Sequence, residues 1–271
     1  MESHAENKTA LARELGVSRS ALYYQAKKPD KDWQLKCEIE KVLRNFPSYG
    51  YRRIAIHLKI NKKRVQRVMR LFGIKPYRRR TKKWLKPKKK EGSVFPNLLL
   101  TNFPSYPNHI WASDFTHITY KGRWIYLATI IDLYTRQIVG FSIMLNHSNQ
   151  LVINALLNAT NKHPVADIIH SDQGSEYKSK DYTILCANLK IQQSMSNPGC
   201  PWENGYQESF YDKFKVDLAD PNRFETLGEL IYEIYKTIYI YNNERIHSKL
   251  KMSPVAYGRQ YLTKQLVESV S

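Results

Sequence analysis

Cysteine is scarce in this 271-residue chain, and its three residues, Cys37, Cys186 and Cys200, are odd in number and far apart. They suit neither a disulfide framework nor a zinc site built from paired ligands. A reducing cytoplasm is the expected compartment. Long apolar runs are missing as well. The most apolar stretch, WIYLATIIDLY, is broken by Asp132 and falls short of the roughly 20 residues of a membrane span. The opening MESHAENKTALAREL lacks the apolar centre of a signal peptide, so no membrane partner is expected. Acid is absent from one whole segment: between Lys41 and Lys90 there is no Asp or Glu, against 20 Lys or Arg. The other 221 residues carry 23 basic and 24 acidic side chains, so the formal charge of +19 sits in that one block. Such a block attracts phosphate and releases counterions on binding, which points to nucleic acid over a membrane or an acidic protein.

What is present is patterned. KTALARELGVSRSALYYQAK places Ala10, Leu11 and Leu15 on one helical face, breaks at Gly16, and offers Ser18 as the cap of a second helix with Leu22 packing back. This is helix-turn-helix spacing, with Arg19 at the start of the element that would enter a groove. A longer helix from about Asp32 to Asn45 turns Leu35, Ile39, Val42 and Leu43 inward, YGYRRIAIHL forms another carrying Arg52 and Arg53, and Asn61 caps KKRVQRVMRLF. In that last helix Val65, Val68 and Met69 make the apolar stripe, and Lys62, Lys63, Arg64, Arg67 and Arg70 cover the rest without acidic partners in the segment. A Pro-, Gly- and cation-rich linker follows, with Arg78, Arg79 and Arg80 able to track a phosphate backbone in extended form. From residue 109 the character changes. HIWASDFTHITY, RWIYLATIIDLYT and QIVGFSIML read as three strands joined by short turns; then come a helix (QLVINALLNAT), the strand ADIIHSD, a helix (DYTILCANL), the short strand IQQSM and two long helices. The order predicts an α/β domain on a mixed sheet. The Tyr and Ile stripe of LIYEIYKTIYIY is expected to be core.

Three carboxylates stand out. Asp114 falls in the middle of the first strand and Asp172 at the end of the fourth, so they converge if those strands are neighbours. Glu208 lies on an amphipathic helix whose apolar side is Phe210, Phe214 and Leu218. Carboxylates are the donors magnesium prefers, and a pair of hard cations can activate one oxygen and stabilise another during phosphoryl transfer. Spacing alone leaves alternatives. Asp172 could simply cap the turn at Gly174. Asp132 could compete as a ligand, hydrogen-bond a turn or pair with Arg136, and Glu176, Asp181, Glu203 and Asp212 lie nearby in sequence.

The segments WASDFTHI, HSDQGSEY and SMSNPGCPWENGYQESF, in this order, resemble the DDE transposases of bacterial insertion sequences, within them the OrfB group, relatives of retroviral integrase. YGYRRI with NKKRVQRVMRLFGI is similar to the helical DNA-binding segment that precedes the catalytic core in that group, and YNNERIHSKLKMSPVAY to its C-terminal signature. The likeness spans roughly residues 10 to 258. It implies a ribonuclease H-like mixed-sheet catalytic core preceded by an all-α helix-turn-helix region. The expected division is a helix-turn-helix segment at 1–30, a helical DNA-binding domain at 31–74, a basic linker at 75–108, an integrase-type core at 109–220 and a helical extension at 221–271. By the resemblance the catalytic and metal-binding acids are Asp114, Asp172 and Glu208, with Mg²⁺ as cofactor and Mn²⁺ able to substitute. It likewise assigns Asn204 to orient Glu208 or contact DNA, Lys215 to phosphate, and Arg245 and His247 to DNA near the site or to a tie between the last helices and the core. Glu203 stands where the group often has aspartate, and Cys200 where asparagine is common.

The implied activity is divalent-metal-dependent cleavage at insertion-sequence ends and strand transfer by direct transesterification. The implied partners are the terminal inverted repeats, target DNA, further copies of the chain assembled on DNA, and an upstream OrfA protein. Two other readings carry different expectations: an inactive DNA-binding regulator on a transposase scaffold would not nick DNA, and a structure-specific nuclease of the same fold would cut without joining.

Overall fold

The computed structural model describes residues 8–20, 28–78 and 94–270. The second helix expected of the helix-turn-helix (21–27), Arg79, Arg80 and most of the linker lie outside the described residues. The first helix, α1 (Lys8–Glu14), ends as expected at Gly16, which adopts φ +62°. Its face differs from expectation: Ala12 is buried, whereas Ala10, Leu11 and Leu15 are exposed. The helix end at Gly16 is closed by a backbone bond from Val17 N to Ala12 O (3.0 Å).

Helices α2 (Lys28–Asn45), α3 (Tyr51–His57) and α4 (Lys62–Leu71) form a unit with its own core of Leu35, Ile39, Val42, Ile54, Val65, Val68 and Met69. Asn61 caps α4, accepting from Lys63 N at 2.8 Å. The expected stripe therefore faces inward and leaves Lys62, Lys63, Arg64, Arg67 and Arg70 exposed.

The described strands form one sheet in the order β3-β2-β1-β4-β5. Its members are β1 (Ile110–Tyr120), β2 (Arg123–Asp132), β3 (Ile138–Met144), β4 (Ile168–Ser171) and β5 (Gln192–Met195). β1, β2 and β3 are antiparallel; β4 and β5 run parallel to β1. One face packs on α7 (Gly205–Leu218) and α8 (Leu227–Asn243) through Ile118, Leu127, Phe210, Phe214, Ile234 and Ile238. The other packs on α5 (Asn149–Thr160) and α6 (Lys180–Asn188) through Trp111, Ile130, Leu151, Ala155 and Tyr182. Gly140 in β3 makes the α5 contact possible, since a Cβ there would lie 2.5 Å from the Ala155 carbonyl oxygen. The last helix is α9 (Pro254–Val270). Among the described residues no helix is long and apolar enough to cross a membrane.

The stripe on α8 divides. Leu230, Ile234, Ile238 and Tyr241 are buried as expected, but Tyr232, Tyr235 and Tyr239 are exposed. A single helix face meets the sheet; Tyr232 and Tyr239 lie on the opposite side, and Tyr235 flanks the contact with its ring against Phe141 of β3 (4.8 Å).

Candidate active site

Register brings the two aspartates together. β1 and β4 pair with Ala112 beside His170. Two residues further along each chain stand Asp114, fifth in β1, and Asp172, one residue beyond β4. Parallel neighbours in register point to the same face, so both carboxylates project to the side on which α7 lies. Burial pushes the Asp114 carboxyl up to about 7, with Asp172 and Glu208 adding to the rise and a hydrogen bond from Phe115 N (2.8 Å) opposing it. Burial likewise raises Asp172, joined by Glu176, and raises Glu208, joined by Asp212.

Asp172 also does what the simpler reading required. Its Oδ1 accepts from Gly174 N at 2.9 Å and shapes the turn. A Cβ at Gly174 would sit 2.7 Å from Glu176 Oε2 and 3.1 Å from Asp172 Oδ1, so a side chain there would displace these carboxylates. The turn is tied down beyond it: the Ser113 hydroxyl donates to Tyr177 OH (3.1 Å), and Gln193 Nε2 donates to the Tyr177 carbonyl (3.2 Å). Glu176 is buried and paired with His147 Nε2 at 2.8 Å.

Glu208 depends on α7, and α7 is fixed to the sheet by side chains that read strand backbone. Asn204 Nδ2 donates to the Ser113 carbonyl (3.3 Å). Gln207 Nε2 donates to the carbonyls of Ala112 (2.6 Å) and Thr129 (3.0 Å), while Gln207 Oε1 accepts from the Thr129 hydroxyl (3.0 Å). The Tyr211 hydroxyl donates to the carbonyl of Asp114 itself (2.8 Å). Positions 204, 207 and 211 share one helix face, so a single stripe sets the height and rotation of Glu208 against Asp114. Gln207 and Tyr211 were not anticipated from sequence. The available signal was a pair of polar groups, four apart, inside the stripe that Phe210 and Phe214 mark as buried.

The rival acids have other work. Asp132 accepts from Tyr134 N (3.0 Å) and from the Thr135 hydroxyl (2.7 Å), the structural role offered for it; Arg136 instead lies over the Tyr206 ring at 4.1 Å. Glu203 accepts from Asn97 Nδ2 (2.8 Å) and Asn197 N (2.6 Å) and so clamps two loops. Asp181 receives Asn149 Nδ2 at 3.1 Å.

The cations assigned to DNA fall into two groups. Arg19, Arg52, Lys62, Lys63, Arg64, Arg70 and Arg78 are exposed. Arg67 is exposed too, but its guanidinium grips Asp32 in two bonds of 2.6 and 2.5 Å. Arg53 donates to the Ser48 carbonyl (2.6 Å) and stacks on Tyr49. Arg245 is 4% exposed and joins Asp217 (2.6 Å) to the Ser48 hydroxyl (2.6 Å), tying the helical unit to the ends of α7 and α8. Burial holds His247 down at about 4, helped by Arg136 and Arg245, so its imidazole is neutral at pH 7. Lys215, half-buried on α7, lines a cavity of about 740 Å³ between the helical unit and the sheet, with Tyr77, His117 and Asn222.

Among the described residues no three His, Cys, Asp or Glu side chains already stand close enough together to hold a metal ion. The donor chemistry nonetheless fits a hard divalent cation. The groups offer anionic oxygen only, and burial, joined by nearby acids, raises all three, a cost that a cation would offset.

Comparison with known proteins bears on the family and the fold. One family model described as an integrase core domain matches residues 104–201, and a second of the same description matches residues 189–254. The InsK protein of insertion sequence element IS150 from Escherichia coli K12 is 32% identical over 266 residues, 92% of this chain and 93% of the relative. The transposase for insertion sequence element IS904 of Lactococcus lactis subsp. lactis is 38% identical over 196 residues, 70% of this chain and 77% of the relative. A chain of the simian T-cell lymphotropic virus intasome, solved with the PP2A regulatory subunit B56 gamma, superposes with a TM-score of 0.52 at 17% identity. That alignment covers 81% of this chain and 74% of the viral one, and it establishes the retroviral-integrase, ribonuclease H-like fold.

Proposed function

Since the chain belongs to the insertion-sequence transposases that carry an integrase core domain, we propose that it cuts DNA at the ends of its element and joins them to a target by divalent-metal-dependent transesterification. Asp114 and Asp172 are the fixed pair of metal ligands and Glu208 is the third. The observation that carries this reading is the register of β1 against β4, which sets two carboxylates side by side where α7 is locked to the Asp114 backbone. Mg²⁺, or Mn²⁺ in its place, supplies activation of the attacking oxygen and stabilisation of the leaving one.

The protein's own part is placement. Gly174 N holds Oδ1 of Asp172, so the other oxygen is the one that would take the ion. Gln207 and Tyr211 fix the backbone that carries the half-buried Glu208, the side chain that would complete the set. Lys215, two turns along the same helix, meets DNA phosphate. Residues 1–74 hold the terminal inverted repeats through the exposed cations of α4, the linker at 75–108 lies along DNA, and 109–220 with the extension at 221–271 carries the chemistry. Two ends must be joined, so the working form is a homo-oligomer assembled on DNA, alone or with an upstream OrfA protein.

Glu208→Gln tests the assignment. With Mg²⁺ and an element-end duplex, this variant is expected to lose both cutting and joining while binding the duplex as the wild type does. Retained strand transfer would overturn it.

A further inference from the structure

Positive charge collects on a flank of α7 that the metal chemistry does not use. Tyr206, Lys213 and Asp217 share one side of this helix, at i, i+7 and i+11. Glu208 stands about 200° round the helix from Tyr206. Over the Tyr206 ring, at 4.1 Å, lies the guanidinium of Arg136, from the turn between β2 and β3. Arg136 is 5% exposed, and its Nη1 is enclosed with no hydrogen-bond acceptor among the described residues. The acid of its own turn, Asp132, is committed to Tyr134 N and the Thr135 hydroxyl. A guanidinium does not shed its charge when buried, so an enclosed one without an anion is costly until an anion is supplied.

The neighbours add to that cost. His247, in the loop after α8, is held down at about 4 by burial and then by Arg136, Arg245, Arg53 and Lys249. Three of these cations come from different parts of the fold: the β2–β3 turn, the loop after α8, and α3 of the helical unit. Burial lowers Lys213 as well; Asp212 opposes, and Arg245 and Arg53 lower it further. Asp217, the other acid that Lys213 feels, already takes Arg245 Nε at 2.6 Å. His247 contributes a donor to the group. Its Nδ1 accepts from Lys249 N (3.3 Å), which leaves the proton of the neutral ring on Nε2.

We propose that Arg136, with Lys213, Arg245 and His247, forms a seat for one phosphate group of the DNA backbone, on the flank of α7 away from Glu208. The inference rests on the reading of the chain as a DNA-cutting enzyme and adds a contact that the acid site does not provide. Phosphate suits the groups: a guanidinium fork takes two of its oxygens, and an ammonium and an imidazole N–H take others. The same charges repel a metal ion. DNA is the source of the phosphate because the seat is continuous with the helical unit. Arg53 lies on α3 beside the exposed Arg52, and the exposed Lys249 follows His247. Lys213 and His247 are half-buried and Tyr206 is exposed, so the seat is reached from solvent on that side.

The test measures DNA binding in EDTA, apart from the metal chemistry. Full-length wild type, Arg136→Met, Arg136→Lys, Lys213→Gln and a control, Lys162→Gln, are titrated against a fluorescein-labelled element-end duplex at several salt concentrations. Each is also melted without DNA. A wild type that does not bind the duplex would count against the reading of the chain; variants that bind like the wild type would defeat this inference alone. Arg136→Met is expected to weaken binding about tenfold, as for one charge-assisted contact, and to lower the salt slope by about one unit. Its melting temperature should stay the same or rise, because methionine keeps the buried stem without the charge. Arg136→Lys should keep part of the affinity, and Lys213→Gln should lose slope in the same way. Lys162, exposed just beyond α5 on the other face of the sheet, should be replaceable without effect. If Arg136→Met melts lower and also binds weakly, Lys213→Gln decides. Wild-type affinity and slope in both variants, an equal loss in Lys162→Gln, or a lower melting temperature of Arg136→Met with binding intact would overturn the proposal. So would a wild-type melting temperature raised by inorganic phosphate at matched ionic strength while the variants bind the duplex normally, since the seat would then take a free anion and not DNA.

Discussion

The sheet domain and the helical unit hold their functional side chains in opposite ways. Around Asp114 every neighbouring element is pinned by buried hydrogen bonds between neutral groups: Gln207 to two strand carbonyls, Tyr211 to the Asp114 carbonyl, Tyr177 to Ser113. On α4, Lys62, Lys63, Arg64 and Arg70 stand on an exposed face above a small apolar core. Metal chemistry needs ligands placed to a fraction of an ångström, whereas phosphate attraction works at a distance and tolerates mobile side chains. Between the two lies a charged joint, Arg245 with Asp217 and Ser48, which ties the helical unit to α7.

If that contrast is right, damage to the polar stripe of α7 should cost the most. Gln207→Leu leaves the carbonyls of Ala112 and Thr129 without their side-chain donor in a fully buried place. The expected loss is about 2–4 kcal/mol of stability, from one to two unsatisfied groups at ~1–3 kcal/mol each, read by urea unfolding. Strand cutting should fall at temperatures where the variant is still folded, because Glu208 loses its fixed height. A variant as stable and as active as wild type would show that the stripe does not position the acid.

A smaller effect should follow pH. The folded pKa of Asp114 is about 7, above its ordinary value of 3.8. The metal-free folded state therefore holds a proton that the unfolded chain releases. Its contribution to stability is complete below the ordinary value and is lost as pH rises towards 7. Asp114→Asn should then stabilise the metal-free protein by about 1–3 kcal/mol at pH 8 and by less at pH 5, measured as melting temperature. A gain independent of pH would mean that the carboxyl is not held up by burial and its acidic neighbours.

The smallest change in stability belongs to the helical unit. Lys63→Ala is expected to alter folding by less than about 0.5 kcal/mol. It should weaken duplex binding and reduce the salt slope by about one unit, seen by titrating a fluorescein-labelled element-end duplex at several salt concentrations. An unchanged slope would remove Lys63 from the phosphate-binding face.

The difference between the regions also explains what could be read in the sequence. Asp114 and Asp172 were legible because alternation gives strand faces and HSDQG gives the strand end. The apolar side of α7 was legible from Phe210, Phe214 and Leu218, all buried as expected. Gln207 and Tyr211 were not, because a polar residue that bonds a distant strand carbonyl looks in sequence like any solvated one. Arg67 read as a phosphate contact until tertiary structure supplied Asp32, and the sequence left Arg245 open between DNA and a structural tie until Asp217, 28 residues away, supplied the tie. On α8 composition could not separate the buried isoleucines from the exposed tyrosines, since both are apolar enough for a core. Whether α1 and its partner helix form a groove-binding pair falls on residues 21–27, outside those described.

The most direct test of the acid site is a crystal of the full chain grown with Mn²⁺ and an element-end duplex, with the metal located by anomalous scattering. The expected result is Mn²⁺ bound to the carboxylates of both Asp114 and Asp172, with Glu208 turned in from α7 to the same ions. Mn²⁺ held by Glu176 and His147, with Asp114 and Asp172 unligated, would contradict the assignment.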